Sequence, residues 1–199
     1  MIVWTIQPLL IYEELKEKGI VYSKMRYSNC NTGIYEIDKV FRDKYAWLME
    51  RMKEKIGIPD ESIELPFWAY YKENRKNKKP DMRFHNRNGL KPYVLMELSI
   101  PDKDVVLIDS NEWTCILNDS PLYFCHNEYE YEIIDEFYDS LSDKDKEEFK
   151  LKSWEQVFDM NIYPDTDKDW MSQHDDVEAV FWLLKKEYLK RSWKYEEKW

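Results

Sequence analysis

The chain has 199 residues, 43% hydrophobic and 16% aromatic, enough to bury about two-thirds of its unfolded surface and too aromatic for general disorder. Forty acidic against 30 basic residues leave a net charge of −10, which repels bulk nucleic acid and anionic membrane unless the bases gather in one place. No apolar run approaches the roughly 18 residues of a membrane span, and the start MIVWTIQPLL has no basic n-region or cleavage site, so neither span nor signal peptide is expected.

In chain order, residues 2–6 read as a strand. Pro8 then opens a helix carrying Ile11 and Leu15, which Gly19 closes, and residues 20–22 form a short strand. Residues 36–56 give the clearest helical period, with Ile37, Val40, Phe41, Tyr45, Leu48, Met52 and Ile56 three and four apart, ended by Gly57 and Pro59. The runs 65–71, 93–100 and 105–108 read as strands, apolar on both faces as in a buried central sheet. Asp109-Ser110-Asn111 supplies cap chemistry for a short helix carrying Trp113, Ile116 and Leu117.

Residues 129–138 read as a helix and 144–149 as a further turn or two. Ser153-Trp154-Glu155-Gln156 matches a capping box, so a short helix through Val157 and Phe158 is expected. Residues 177–190 fit two patterns: a helix from the spacing of Val177, Val180, Phe181, Leu184 and Tyr188, or a buried strand from the unbroken AVFWLL. With no repeat, low-complexity tract or linker, the expectation is one α+β domain over residues 1–199, a mixed central β-sheet flanked by helices.

The charges are unevenly spread. Residues 72–87 hold seven Lys/Arg against Glu73 and Asp81, a local +5 that leaves −15 elsewhere. This reads as a solvated surface loop, with a contact to nucleotide phosphate, RNA or DNA as the functional alternative. Residues 128–148 hold ten acids and only Lys144 and Lys146, the pattern of an acidic exposed helix face.

Metal chemistry finds little support. His85, His126 and His174 lie far apart, and the run Asp165, Asp167, Asp169 reaches Trp170 where a calcium loop needs glycine and Asp176 where it needs glutamate. Four glycines, at 19, 33, 57 and 89, build no phosphate cradle. Cys30, Cys115 and Cys125 are odd in number and lack CxxC spacing, as in reduced thiols of the cytoplasm. Cys125 beside His126 reads as packing more than as a nucleophile and its base. Glu178 stands where the polar MSQHDD meets AVFWLL. There it either stabilises a developing oxocarbenium ion at a strand mouth or sits exposed at a helix N-terminus.

Trp4-Thr5-Ile6-Gln7, Tyr45-Ala46-Trp47-Leu48, Pro66-Phe67-Trp68-Ala69-Tyr70, residues 97–101, Asp109 with Trp113, Leu117-Asn118 and Ser153-Trp154-Glu155-Gln156-Val157-Phe158-Asp159 follow one another in order. This series resembles a bacterial and phage family catalogued as domain of unknown function 3841. The layout is also similar to the ADP-ribosyltransferase fold: an opening strand, a helix closed by Gly19, a short strand, an aromatic strand, and a glutamate at the brink of a late apolar segment. That likeness implies that Thr5 or Gln7 touches NAD, that Phe67 or Tyr70 stacks on the nicotinamide, and that Glu178 directs the transfer. Trp4 stands where such enzymes place His or Arg, and Gln173 lies five residues before Glu178 rather than two.

The expected function is NAD-dependent ADP-ribosyl transfer onto a macromolecular acceptor, nucleic acid or protein, without metal or membrane. The other class is a non-catalytic phage or mobile-element accessory protein that binds a host protein. A pocket lined by Trp4, Phe67 and Glu178 favours the first, and a flat aromatic patch the second.

Overall fold

A computed structural model describes residues 1–24, 35–59, 63–82, 92–160 and 176–195, without the side chains of 35–38. Strand β1 (Ile2–Pro8) runs directly into helix α1 (Leu9–Lys18). Pro8 ends the strand instead of opening the helix, because its ψ of 145° is extended. Gly19, at φ 79°, closes α1 and donates its N–H to the Leu15 carbonyl, a left-handed position that glycine occupies without a Cβ clash. The short β2 (Ile20–Tyr22) follows.

Helix α2 (Tyr35–Ile56) buries Leu48 and Met52 completely. Val40, however, is 45% exposed, so the core stripe is shorter than its spacing suggests. Farther along α2, Tyr45 meets the rings of Trp68 and Trp113 edge-on. The described side chains do not include Ile37.

Strands β3 (Phe67–Lys72), β4 (Tyr93–Ser99) and β5 (Val106–Asp109) lead to helix α3 (Ser110–Leu117). Asp109 caps α3 by accepting the N–H groups of Asn111 and Glu112 at 2.9 and 3.0 Å. Helix α4 (Glu128–Ser140) starts at Asn127, and α5 (Asp143–Ser153) starts at Ser142, whose hydroxyl accepts from the Asp145 N–H. The second of these has eleven residues where the sequence suggested a turn or two, with acids in its first turn and lysines in its last.

The capping box expected at Ser153 does not form. Ser153 ends α5; its hydroxyl donates to the Lys150 carbonyl at 2.7 Å and accepts from the Leu122 N–H at 2.8 Å. Residues Trp154–Phe158 form a 3-10 turn instead.

Residues 177–185 are strand, in two pieces. Strand β6 (Val177–Phe181) joins the main sheet and β7 (Leu183–Lys185) pairs with β2. Between them Trp182 donates its indole N–H to the Gly57 carbonyl at 2.9 Å. Strand β8 (Leu189–Tyr195) completes a six-stranded sheet in the order β5-β6-β3-β1-β4-β8.

All five pairings in that sheet are antiparallel, so the α+β class holds and the expected mixed pairing does not. A parallel neighbour needs a crossover returning to the same sheet, whereas α1 delivers the chain to the separate β2–β7 ribbon.

Side chains alternate across the sheet. One face packs Val3, Phe67, Ala69, Met96, Ala179 and Phe181 against Ile11 and Leu15 of α1. On the opposite face, α2, α3 and the 3-10 turn cover Val106, Ile108 and Val180. Farther along it, Trp4, Ile6, Tyr93 and Leu95 gather with Tyr70, Trp193 and Tyr195.

Candidate functional site

The strand register brings Glu178 into one row across the sheet. Glu178 lies opposite Ile108 on one side and Tyr70 on the other, Tyr70 lies opposite Trp4, Trp4 opposite Glu97, and Glu97 opposite Arg191. Directly paired residues project to the same face, so a carboxylate, a phenol, an indole and a carboxylate–guanidinium pair share one surface. Glu178 and Tyr70 are half-buried, while Trp4 and Glu97 are buried.

Glu97 is held from two sides. The Trp4 indole N–H donates to its Oε2 at 3.3 Å, and Arg191 reaches Oε1 at 3.1 Å and Oε2 at 2.9 Å as a fork. A lone carboxylate inside the apolar run YVLMELSI was its only signal in the sequence. Nothing in the local pattern pointed to Arg191.

The entry to β6 is pinned in place. Asp176 accepts the Asn74 N–H on its carboxylate at 2.9 Å, and its carbonyl accepts the Ser110 N–H at 3.0 Å. Asn74 and Arg75 take left-handed backbone, at φ 51° and 63°, in a turn closed by Glu73 and Lys76. The first part of the basic stretch is thus a tight turn tied to the strand that carries Glu178. Residues 83–87 of that stretch lie outside the described residues.

The other expected site residues lie elsewhere. Thr5, Gln7 and Phe67 belong to the face covered by α1. Thr5 is 1% exposed and donates its hydroxyl to the Trp68 carbonyl at 2.7 Å, while Gln7 donates its amide to the Thr5 hydroxyl at 2.8 Å. Phe67 is buried and stacks on Phe181 with ring centres 5.9 Å apart. The fold therefore brings Tyr70 to Glu178 and puts the thickness of the sheet between Glu178 and the other three.

A separate cleft of about 450 Å³ opens between α3 and α4, lined by Glu112, Cys115, Tyr123, Tyr131, Asp135 and Tyr138 among others. None of the five expected site residues lines it. Burial, followed by the nearby carboxylates Glu112 and Asp109, pushes the Cys115 thiol up, away from the reactive thiolate. Burial also raises the Tyr123 hydroxyl, and its hydrogen bond to Asp135 at 3.1 Å adds to that. Cys125 is fully buried with its thiol against the Tyr123 carbonyl, whereas the His126 ring meets Glu130 at 3.0 Å.

Among the described residues no group of three or more His, Cys, Asp or Glu can hold a metal ion. His85, His174, Cys30, Asp165, Asp167, Asp169 and Gln173 lie outside them. No helix among the described residues is long and apolar enough to cross a membrane.

The fold and its row of polar and aromatic side chains define an α+β protein built on a six-stranded antiparallel sheet with a small two-stranded one beside it. The family described as a domain of unknown function (DUF3841) matches residues 2–190, and the chain belongs to that family. No curated protein and no solved structure matches the chain.

Proposed function

We propose that the protein is an ADP-ribosyltransferase-like enzyme of a bacterial or phage cytoplasm that consumes NAD and modifies a macromolecule, with Glu178 as the decisive carboxylate. The observation that carries this reading is the register of β6 with β3. It puts Glu178 on an interior strand, one in from the edge, directly beside Tyr70, with Trp4 next in the row. In the helical alternative for residues 177–184, Glu178 would have been an exposed helix-terminal residue.

The chemistry asked of this row is modest. The bond between the ribose anomeric carbon and the nicotinamide nitrogen breaks, and the bonding pair leaves with neutral nicotinamide. The carboxylate of Glu178 stabilises the oxocarbenium charge that develops on the ribose. A nucleophile of the acceptor then bonds to the anomeric carbon and releases its proton. Tyr70 offers ring surface beside the carboxylate, and the buried Trp4 packs behind it in the row, bonded to Glu97. Thr5, Gln7 and Phe67 act in this reading as the packed underside of the site instead of contacts to NAD.

The test is calorimetric titration of NAD into the wild-type protein and Glu178→Ala, with nicotinamide release followed in parallel. Saturable binding by the wild type, with release lost in the variant, is the expected result. A folded wild-type protein that does not bind NAD overturns the reading. The second reading, a non-catalytic protein that binds a host protein, draws on the exposed side chains of α4, where Tyr129 is 71% and Phe137 is 53% exposed.

A further inference from the structure

Helix α4 has no buried residue, although every other helix among the described residues buries at least two. Its sequence EYEYEIIDEFYDS carries six carboxylates and no base. Ile133 and Phe137 are 48% and 53% exposed on it, and Phe124 of the preceding segment is 38% exposed. Together with Ile134 and Phe149 they line an apolar groove of about 380 Å³. Leu122 and Tyr123 form the wall between this groove and the acidic cleft, since both residues line both concavities. On the cleft side stand Tyr131, Asp135, which accepts the Tyr123 hydroxyl, and Asp139 and Tyr138, which Lys146 approaches at 3.5 and 5.3 Å. A partner's cation would share these groups with that lysine.

We propose that this two-part surface docks a basic amphipathic segment of a partner protein, with a large apolar side chain in the groove and a lysine or arginine in the cleft. Charge complementarity selects that occupant. Carboxylates beside tyrosine rings attract an ammonium or guanidinium group, while the six acids of α4 repel nucleic acid and the same face of a second copy. The groove supplies the apolar contact that carries affinity in helix-in-groove recognition. This docking is independent of NAD chemistry.

The probe is a fluorescein-labelled amphipathic peptide of leucine and lysine at helical period, with a counterpart in which every lysine is glutamate. Anisotropy is followed on the full chain, together with Phe137→Glu in the groove and Asp139→Lys in the cleft. Both positions are exposed, and circular dichroism checks each variant's fold. Expected is saturable binding of the lysine peptide that weakens with salt and falls about tenfold or more in either variant, with no binding of the glutamate peptide. Equal binding of the two peptides, binding of neither, or variants that bind like wild type overturns the proposal. So does sedimentation showing a wild-type dimer that Phe137→Glu dissociates, because the occupant is then a second copy.

Discussion

Arg191 grips both carboxylate oxygens of Glu97, at 3.1 and 2.9 Å, from a neighbouring strand. The pair is asymmetric: the Glu97 side chain is 8% exposed and that of Arg191 68%. Removing Arg191 leaves a nearly buried carboxylate with the Trp4 indole as its remaining described donor. Arg191→Ala is expected to destabilise the fold by about 1–3 kcal/mol, the range for a buried group losing its partner. Glu97→Gln is expected to be milder, since the amide oxygen still accepts. Urea melts of the two variants check the order, and Glu97→Gln proving the more damaging counts against this account.

Tyr70 is the neighbour of Glu178 on β3, and its proposed part is to offer a ring face to the nicotinamide. Tyr70→Phe is therefore expected to retain most NAD affinity, while Tyr70→Ala weakens it by about tenfold, in line with roughly 1–3 kcal/mol for losing an aromatic stack. The same titration on Phe67→Leu, which alters the opposite face, is expected to leave NAD affinity unchanged. Loss of affinity in Phe67→Leu with an intact fold would place the nucleotide on the α1 side.

Asp109 caps α3 through two backbone N–H groups while standing opposite Val177 in the sheet. Asp109→Ala is expected to cost about 1–2 kcal/mol, the upper part of the range for losing an N-cap. Asp109→Asn is expected to recover most of that, because the amide oxygen serves the same donors. Thermal melts of the two variants decide it.

Asp119 binds both Lys44 and Lys150. Burial pushes its carboxyl up, but hydrogen bonds from Lys150 and Lys44 outweigh that and hold it below its usual range. A lowered carboxylate contributes stability that is present above its unfolded pKa and lost as pH falls through the folded one. The Lys150 ammonium moves the other way: desolvation lowers it, and Asp119 with Glu147 more than restores it. Its contribution is present below the unfolded lysine value and lost as pH rises through the folded one. Asp119 is half-exposed, at 51%, so solvent screening keeps the acid effect small. Melts at pH values below about 4 are expected to show a shallower acid loss in Asp119→Asn than in wild type. Parallel acid limbs would rule out a contribution from this pair.

Several elements were legible because their causes are local. Gly19 ends α1 through its own φ, Asp109 caps α3 within three residues, and β4 is recognisable from the apolar run around Leu95. The spacing of Tyr45, Leu48 and Met52 likewise marks the part of α2 that reaches the core. Misreadings arose where a distant partner decided the outcome. Ser153 has the spacing of a cap, yet its hydroxyl is engaged by Lys150 and Leu122, the second of them 31 residues away. Val40 has core periodicity but is 45% exposed, whereas Leu48 and Met52, later in α2, are fully buried.

The candidate site divides along the same line. By itself the sequence determined that a carboxylate, Glu178, stands where a polar loop meets an apolar segment, and that an aromatic run precedes the basic stretch. It also carried the family landmarks within the matched residues 2–190. Only the tertiary structure decided that β6 lies between β5 and β3, that Tyr70 shares a face with Glu178, and that Thr5, Gln7 and Phe67 lie behind the sheet. The physical reason is the two-residue period of a strand. A single step of register exchanges the faces, and that register is set by hydrogen bonds to strands far away in the chain.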